Sequence, residues 1–133
     1  ALSLGAEGIE MGTRFIATKE CVHAATAYKD ALLSGGETDT TVIKRTLGAP
    51  GRAISNKWTE KILEIEKNNG GYEELKEYIS GQANKNYIYN GEVDSGFAWA
   101  GQVMGLIKDI PTVNELITRM IQEANEIRTK WGK

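Results

Sequence analysis

The stretch GAEGIEMGTRF, residues 5–15, decides how the rest of this chain is read. Ile9 and Met11 alternate with Glu10, and Gly8 and Gly12 bound the run. That is the period-2 pattern of a short strand, here over Ala6–Met11. Ahead of it, Ala1-Leu2-Ser3-Leu4-Gly5 resembles the tail of a helix. A strand this short is most stable inside a sheet contributed by other residues. The strand then closes on Gly12-Thr13, and glycine lets a main chain approach a ligand closely. The free N–H groups beyond the strand, with the Thr13 hydroxyl, can hold phosphate oxygens. In a (β/α)8 barrel the loops after strands seven and eight commonly build such a site. Short glycine motifs are weak signals, and an ordinary strand-to-helix turn is the commoner reading of Gly12-Thr13 taken alone.

Bulk properties narrow the function classes. The 133 residues suffice for one domain with a modest core. A net charge of −2 gives no basic footprint, which argues against a nucleic-acid partner. No apolar run approaches the length of a membrane span, so no membrane partner is expected. The single Cys21 excludes an internal disulfide framework and has no CxxC or histidine cluster beside it, so no metal site is expected. A reducing, cytoplasmic setting is the expectation.

Working outward along the chain, Thr18 is placed to cap a helix from about Lys19 to Leu33. Val22, Ala25, Tyr28 and Leu32 give it an apolar stripe, and Gly35-Gly36 ends it. Thr40–Thr46 and the segment around Arg52-Ala53-Ile54 are β-prone and flank Gly48-Ala49-Pro50-Gly51, which predicts a small hairpin. Ser55 or Asn56 caps the next helix, which buries Trp58, Ile62 and Ile65 and stops at Asn69-Gly70-Gly71. A shorter helical stretch over Tyr72–Ile79 ends at Gly81. Residues 84–96 read as polar with a turn at Asn90-Gly91, and Phe97–Lys108 is apolar with small residues at Ala98, Ala100 and Gly101. Pro111-Thr112 opens the last helix, with Leu116, Met120, Ala124 and Ile127 at helical spacing. The expected count is about five helices and three short strands, an α+β and mostly helical chain.

At this point a family resemblance covers essentially the whole chain. ALSLGAEGIEMGTRFIATKEC resembles the last barrel strand, with its flanks, of the nitronate monooxygenases, formerly 2-nitropropane dioxygenases. The likeness continues through TLGAPGRAISN, GGYEELKEYISGQ and YNGEVDSGFAWAGQVMGLIKDIPTVNELI into the final helix. MGTRF followed by AGQ-x-x-GLI, in that order, makes it fairly specific. Flavin-dependent enoyl-acyl-carrier-protein reductases are close relatives of that family.

The resemblance implies the C-terminal part of a (β/α)8 TIM barrel (last strand), with a helical lid and the small hairpin. Its implied division is 1–36 for the end of the barrel, 37–96 for hairpin and lid, and 97–133 for helices returning to the barrel. The chain is then expected to be a fragment of a longer flavoprotein. It implies FMN as cofactor, with Glu10, Met11, Gly12 and Thr13 matching the residues that close strand eight against it. Gly12 and Thr13 are the implied phosphate contacts. A carboxylate near a phosphate repels it, so Glu10 is expected to contribute through its main chain. Ala100, Gly101 and Gln102 resemble the segment returning from the lid toward the flavin pocket, where small residues let a helix pack closely. They are equally readable as packing residues. Trp99 stands near a position where some relatives carry a substrate-facing serine. Trp58 and Trp131 are expected to be core or docking aromatics.

The family's catalytic histidine has no counterpart here, so no catalytic residue is assigned to this chain. His23, the only histidine, is expected to be a surface or packing residue, and Cys21 a small packing residue. The implied activity of the parent is oxidation of alkyl nitronates with oxygen, and the chain alone is expected to be inactive. Its partners would be a small-molecule substrate, nitronate or enoyl thioester, and the missing barrel residues. The isolated chain would be a homo-oligomer. The alternatives are a fragment of a flavin enoyl reductase and a non-catalytic helical interaction module.

Overall fold

The computed structural model describes residues 1–131, the Trp131 side chain excepted, so the packing role expected of that tryptophan lies outside the described residues. A 3-10 turn at Leu2–Leu4 ends on Gly5, whose φ of 88° is the left-handed conformation that glycine adopts without strain. The elements that follow are α1 (Thr13–Ile16), α2 (Thr26–Ser34), β1 (Thr40–Ile43), β2 (Gly51–Ile54) and α3 (Lys57–Lys67). After them come α4 (Tyr72–Leu75), α5 (Gly81–Ile88), a 3-10 turn at Gln102–Leu106 and α6 (Val113–Trp131).

The hairpin forms where β-branched residues flank a turn. β1 and β2 pair antiparallel in the register Thr40 to Ile54 and Ile43 to Gly51. A third extended segment lies on the other edge of β2. There the Ile54 N–H donates to the Ala98 carbonyl at 2.9 Å and the Ala100 N–H to the Arg52 carbonyl at 3.1 Å. This segment, residues 98–100, meets β2 through an isolated bridge at Trp99 and lies outside the three strands expected from the sequence. Ala98 and Ala100 pack as extended backbone against the sheet rather than as a helix.

The strand expected over Ala6–Met11 does not form in the described residues. A ladder needs a partner backbone, and none lies alongside; instead the Ala6 N–H turns back to the Ala1 carbonyl at 3.1 Å. The helix expected from Lys19 is also displaced. The Thr18 hydroxyl donates to the Phe15 carbonyl at 2.7 Å, closing α1 instead of capping α2, which starts only at Thr26. α3 begins as expected: Asn56 accepts from the Thr59 N–H at 2.8 Å and the Thr59 hydroxyl accepts from the Asn56 N–H at 2.9 Å. Gly81 opens α5 rather than ending a helix, because the Ser80 hydroxyl accepts from the Ala83 N–H at 3.1 Å.

Two apolar clusters hold these elements. One gathers Tyr28 and Leu32 of α2 with Tyr87, Ala98, Ala100, Met104 and Ile107. The other gathers Ile43, Ala53, Ile62, Leu75, Ala83 and Phe97 under the hairpin, flanked by Trp58, whose indole N–H donates to the Tyr78 carbonyl at 2.9 Å. The sheet lies between the clusters, with Ile54 in the first and Ala53 in the second. Among the described residues no helix is long and apolar enough to cross a membrane.

Candidate functional site

Gly12 precedes α1 with φ −95° and ψ −70°, a conformation that every residue type can adopt. A Cβ built on it would meet nothing within 4 Å, so neither backbone nor neighbours in this chain demand glycine there. The open space above Gly12 is where an approaching group has access. Among the described residues, no acceptor pairs with the main-chain N–H groups of Gly12, Thr13 and Arg14, as befits a helix's first turn. These are donors without acceptors.

Thr13 ties this turn to the second candidate segment. Its Oγ1 accepts a hydrogen bond from the Gly101 N–H at 2.9 Å, across 88 positions of sequence. A hydroxyl has one donor and two acceptor sites, so that bond leaves the Thr13 proton free to be donated. The turn thus offers N–H groups and one O–H, the chemistry of half an anion site. Phosphate oxygens fit these donors, and the open face of Gly12 leaves room for them.

The remaining candidates are spread around that bond. Glu10 is exposed and Met11 half-buried, both on the irregular segment before the turn. Ala100 is buried, Gly101 is half-buried, and Gln102 is exposed at the start of the 3-10 turn. Of the seven, Thr13 and Gly101 are joined directly. The approach to Gly101 is fixed by α2, whose Tyr28 hydroxyl donates to the Trp99 carbonyl. Burial pushes the Tyr28 phenol far above its usual range, with Tyr87 and Cys21 adding to the effect, so it stays a neutral donor. The Trp99 side chain turns toward the hairpin: its ring lies 4.9 Å from that of Phe97, and the Lys44 ammonium stands 5.0 Å above it. A Cβ on Gly51 would come within 2.5 Å of that ring, so glycine is needed there to seat the indole.

Three charged residues outside the expected set brace the turn. Arg14 donates to the main-chain carbonyl of Asp109 at 3.1 Å and to its Oδ1 at 3.0 Å, and Arg119 of α6 donates to Oδ2 at 2.8 Å. The hydrogen bond from Arg119, joined by the charges of Arg119 and Arg14 and the bond from Arg14, holds the Asp109 carboxyl below its ordinary range despite the opposing effect of burial. Arg14 lies within the MGTRF motif, but nothing in the sequence pairs it with a residue 95 positions away. His23 is exposed and Cys21 half-buried, as expected. A surface depression of about 590 Å³ runs along the first turns of α6 beside Lys19, Asp109, Pro111 and Glu115 and includes none of the seven candidates. Its charges already pair, Lys19 with Glu115 at 3.8 Å and Asp109 with Arg119.

Comparison with known proteins matches residues 1–123 to the nitronate monooxygenase family. A probable nitronate monooxygenase of Staphylococcus saprophyticus is 30% identical over 130 residues, covering 98% of this chain and 36% of that protein. One from Staphylococcus aureus strain MSSA476 is 28% identical over 127 residues, covering 96% and 35%. Among solved structures, FabK from Thermotoga maritima superposes with a TM-score of 0.88 at 29% identity, covering 98% of this chain and 40% of that one. The chain spans little more than a third of the curated relatives it matches. With the match running from residue 1 to residue 123, this chain belongs to the nitronate monooxygenase family.

Proposed function

We propose that this chain supplies the phosphate-holding turn and the covering segments of an FMN-dependent oxidoreductase that oxidises alkyl nitronates with oxygen. The observation that carries this reading is the Thr13–Gly101 bond, which joins the two segments that the resemblance assigns to the flavin pocket. Bound FMN supplies a two-electron acceptor, and the protein supplies position and electrostatics. Gly12 leaves the approach open, and the N–H groups of Gly12 and Thr13, unpaired among the described residues, would hold the phosphate oxygens. Thr13 would donate its hydroxyl hydrogen bond to a phosphate oxygen, while the Gly101 N–H fixes the oxygen that carries it. The exposed Glu10 keeps its carboxylate in solvent and contributes through its main chain. Ala100 and Gln102 flank the pocket wall. Residues 1–36, 37–96 and 97–133 then act as barrel end, lid and return segment.

The likeness to FabK favours a second reading, a flavin-dependent enoyl reductase using a nicotinamide cofactor. The flavin-loaded whole protein separates the two. Oxygen uptake with an alkyl nitronate, in the absence of NAD(P)H, supports the first reading. NAD(P)H oxidation driven by an enoyl thioester, without nitronate turnover, replaces it with the second. A whole protein that purifies without flavin and takes none up sinks both.

A further inference from the structure

We infer that Asp109 is a positioning residue for the anion-holding turn, acting on Thr13 through Arg14. This inference rests on the proposed role of that turn in holding the FMN phosphate. Arg14 follows Thr13 directly, so fixing its guanidinium fixes the peptide groups that carry the N–H donors. The fork is occupied twice by one residue: Nη1 by the Asp109 carbonyl at 3.1 Å and Nη2 by Oδ1 at 3.0 Å. A planar guanidinium held at two points has little freedom to swing. The Arg14 side chain is only 12% exposed, which limits its freedom, while the Asp109 carboxylate that holds it is 48% exposed.

Asp109 is itself held. Its second carboxylate oxygen takes Arg119 of α6 at 2.8 Å. The backbone beyond it is pinned to the segment after α1, where the Lys19 N–H donates to the Pro111 carbonyl at 2.9 Å. The Glu20 carboxylate accepts the Val113 N–H at 2.9 and 3.0 Å. Asp109 therefore transmits the position of α6 to α1 and to Thr13. It also keeps the Arg14 charge engaged, so the turn would bind an anion by N–H and O–H donors rather than by a mobile cation.

The test compares FMN with riboflavin, which lacks the phosphate, in the whole protein. The variants are Asp109→Asn, Asp109→Ala and Arg14→Lys, the last keeping the charge without the fork. Each should weaken FMN binding about tenfold while changing riboflavin binding less than twofold. Hydrogen exchange of the amides at 13–16 should quicken in the same variants, measured without flavin. Equal weakening of both flavins would make Asp109 a merely structural residue. Unchanged or tighter FMN binding would also overturn the inference, the latter showing that a released Arg14 serves the phosphate better. If the wild-type protein itself fails to prefer FMN over riboflavin, the phosphate role of the turn is lost, and this inference with it.

Discussion

Gly12 and Thr13 differ in what their replacement tests. A side chain at Gly12 meets only open space, so Gly12→Val should leave the fold's stability within about 0.5 kcal/mol of wild type. In the whole protein it should nonetheless cost flavin retention, because the obstruction falls where the proposed site would admit the phosphate. Thr13→Ala would remove the proposed bond to a phosphate, about 1.5–3 kcal/mol, and also leaves the Gly101 N–H without its partner. Absorbance of bound flavin after gel filtration is the readout, and wild-type retention in both variants would mean the turn is structural only. Gly96 is the opposite case: a Cβ there would lie 1.9 Å from the Ala83 carbonyl oxygen, inside the backbone of α5. Gly96→Ala should therefore lower stability by about 1–3 kcal/mol, seen as a lower urea midpoint, with no special effect on flavin selectivity.

Elements with their own local signals were legible in the sequence. The hairpin carries β-branched residues on one strand and a Gly-Ala-Pro-Gly turn, and α3 carries a capping residue and a clear apolar spacing. Asn56 does more than cap: its Nδ2 also donates to the carbonyls of Val93 and Gly96 at 2.6 and 2.8 Å. Asn56→Ala should thus exceed an ordinary cap loss of about 1 kcal/mol, and urea unfolding should show it. A loss confined to a few tenths would mean the two loop bonds contribute nothing. Other elements were illegible for physical reasons. Residues 6–11 have strand periodicity without a partner, and α5 hides in an Asn-rich run whose buried face is just Ala83 and Tyr87. The candidate site was half legible. Gly12-Thr13 announces a turn and Ala100-Gly101 a close approach, but the bond between them, like the Arg14–Asp109–Arg119 clamp, joins distant segments that no local pattern relates. The start of α6 adds a pH signature. Hydrogen bonds from the Thr112 and Arg119 donors hold Glu115 and Asp109, respectively, below their ordinary carboxylate values. Groups depressed on folding stabilise above their unfolded pKa and lose that contribution as pH falls through the folded one. Stability should accordingly fall as pH drops below about 4, and Asp109→Asn should make that fall shallower. Urea midpoints collected across that range check it.

At the scale of the whole molecule, the two clusters sit around the sheet while, among the described side chains of α6, only Leu116 is buried. Ile121 is 58% exposed, and Leu106 and Leu4 stand at 80% and 93%. Apolar surface of this kind drives association, so the 133-residue chain on its own should form dimers or larger oligomers. A clean monomer by light scattering at high concentration would contradict that. The same scale sets what the chain can bind. Its turn offers a few N–H groups and one hydroxyl, all competing with water, so each bond contributes about 0.5–1.5 kcal/mol net. Micromolar affinity needs about 8 kcal/mol. Electrostatics add little, because Arg14 is committed to Asp109 and the exposed Glu10 carboxylate repels an anion. The chain produced alone should therefore neither bind FMN tightly nor turn over a nitronate. Titration of FMN into the purified chain, followed by quenching of flavin fluorescence, gives the answer. The expected result is no saturation in the micromolar range, with binding appearing when the chain is expressed within the full length of its relatives. Stoichiometric micromolar binding by the 133 residues would mean that self-association completes the site, two copies together supplying the contacts that one turn lacks.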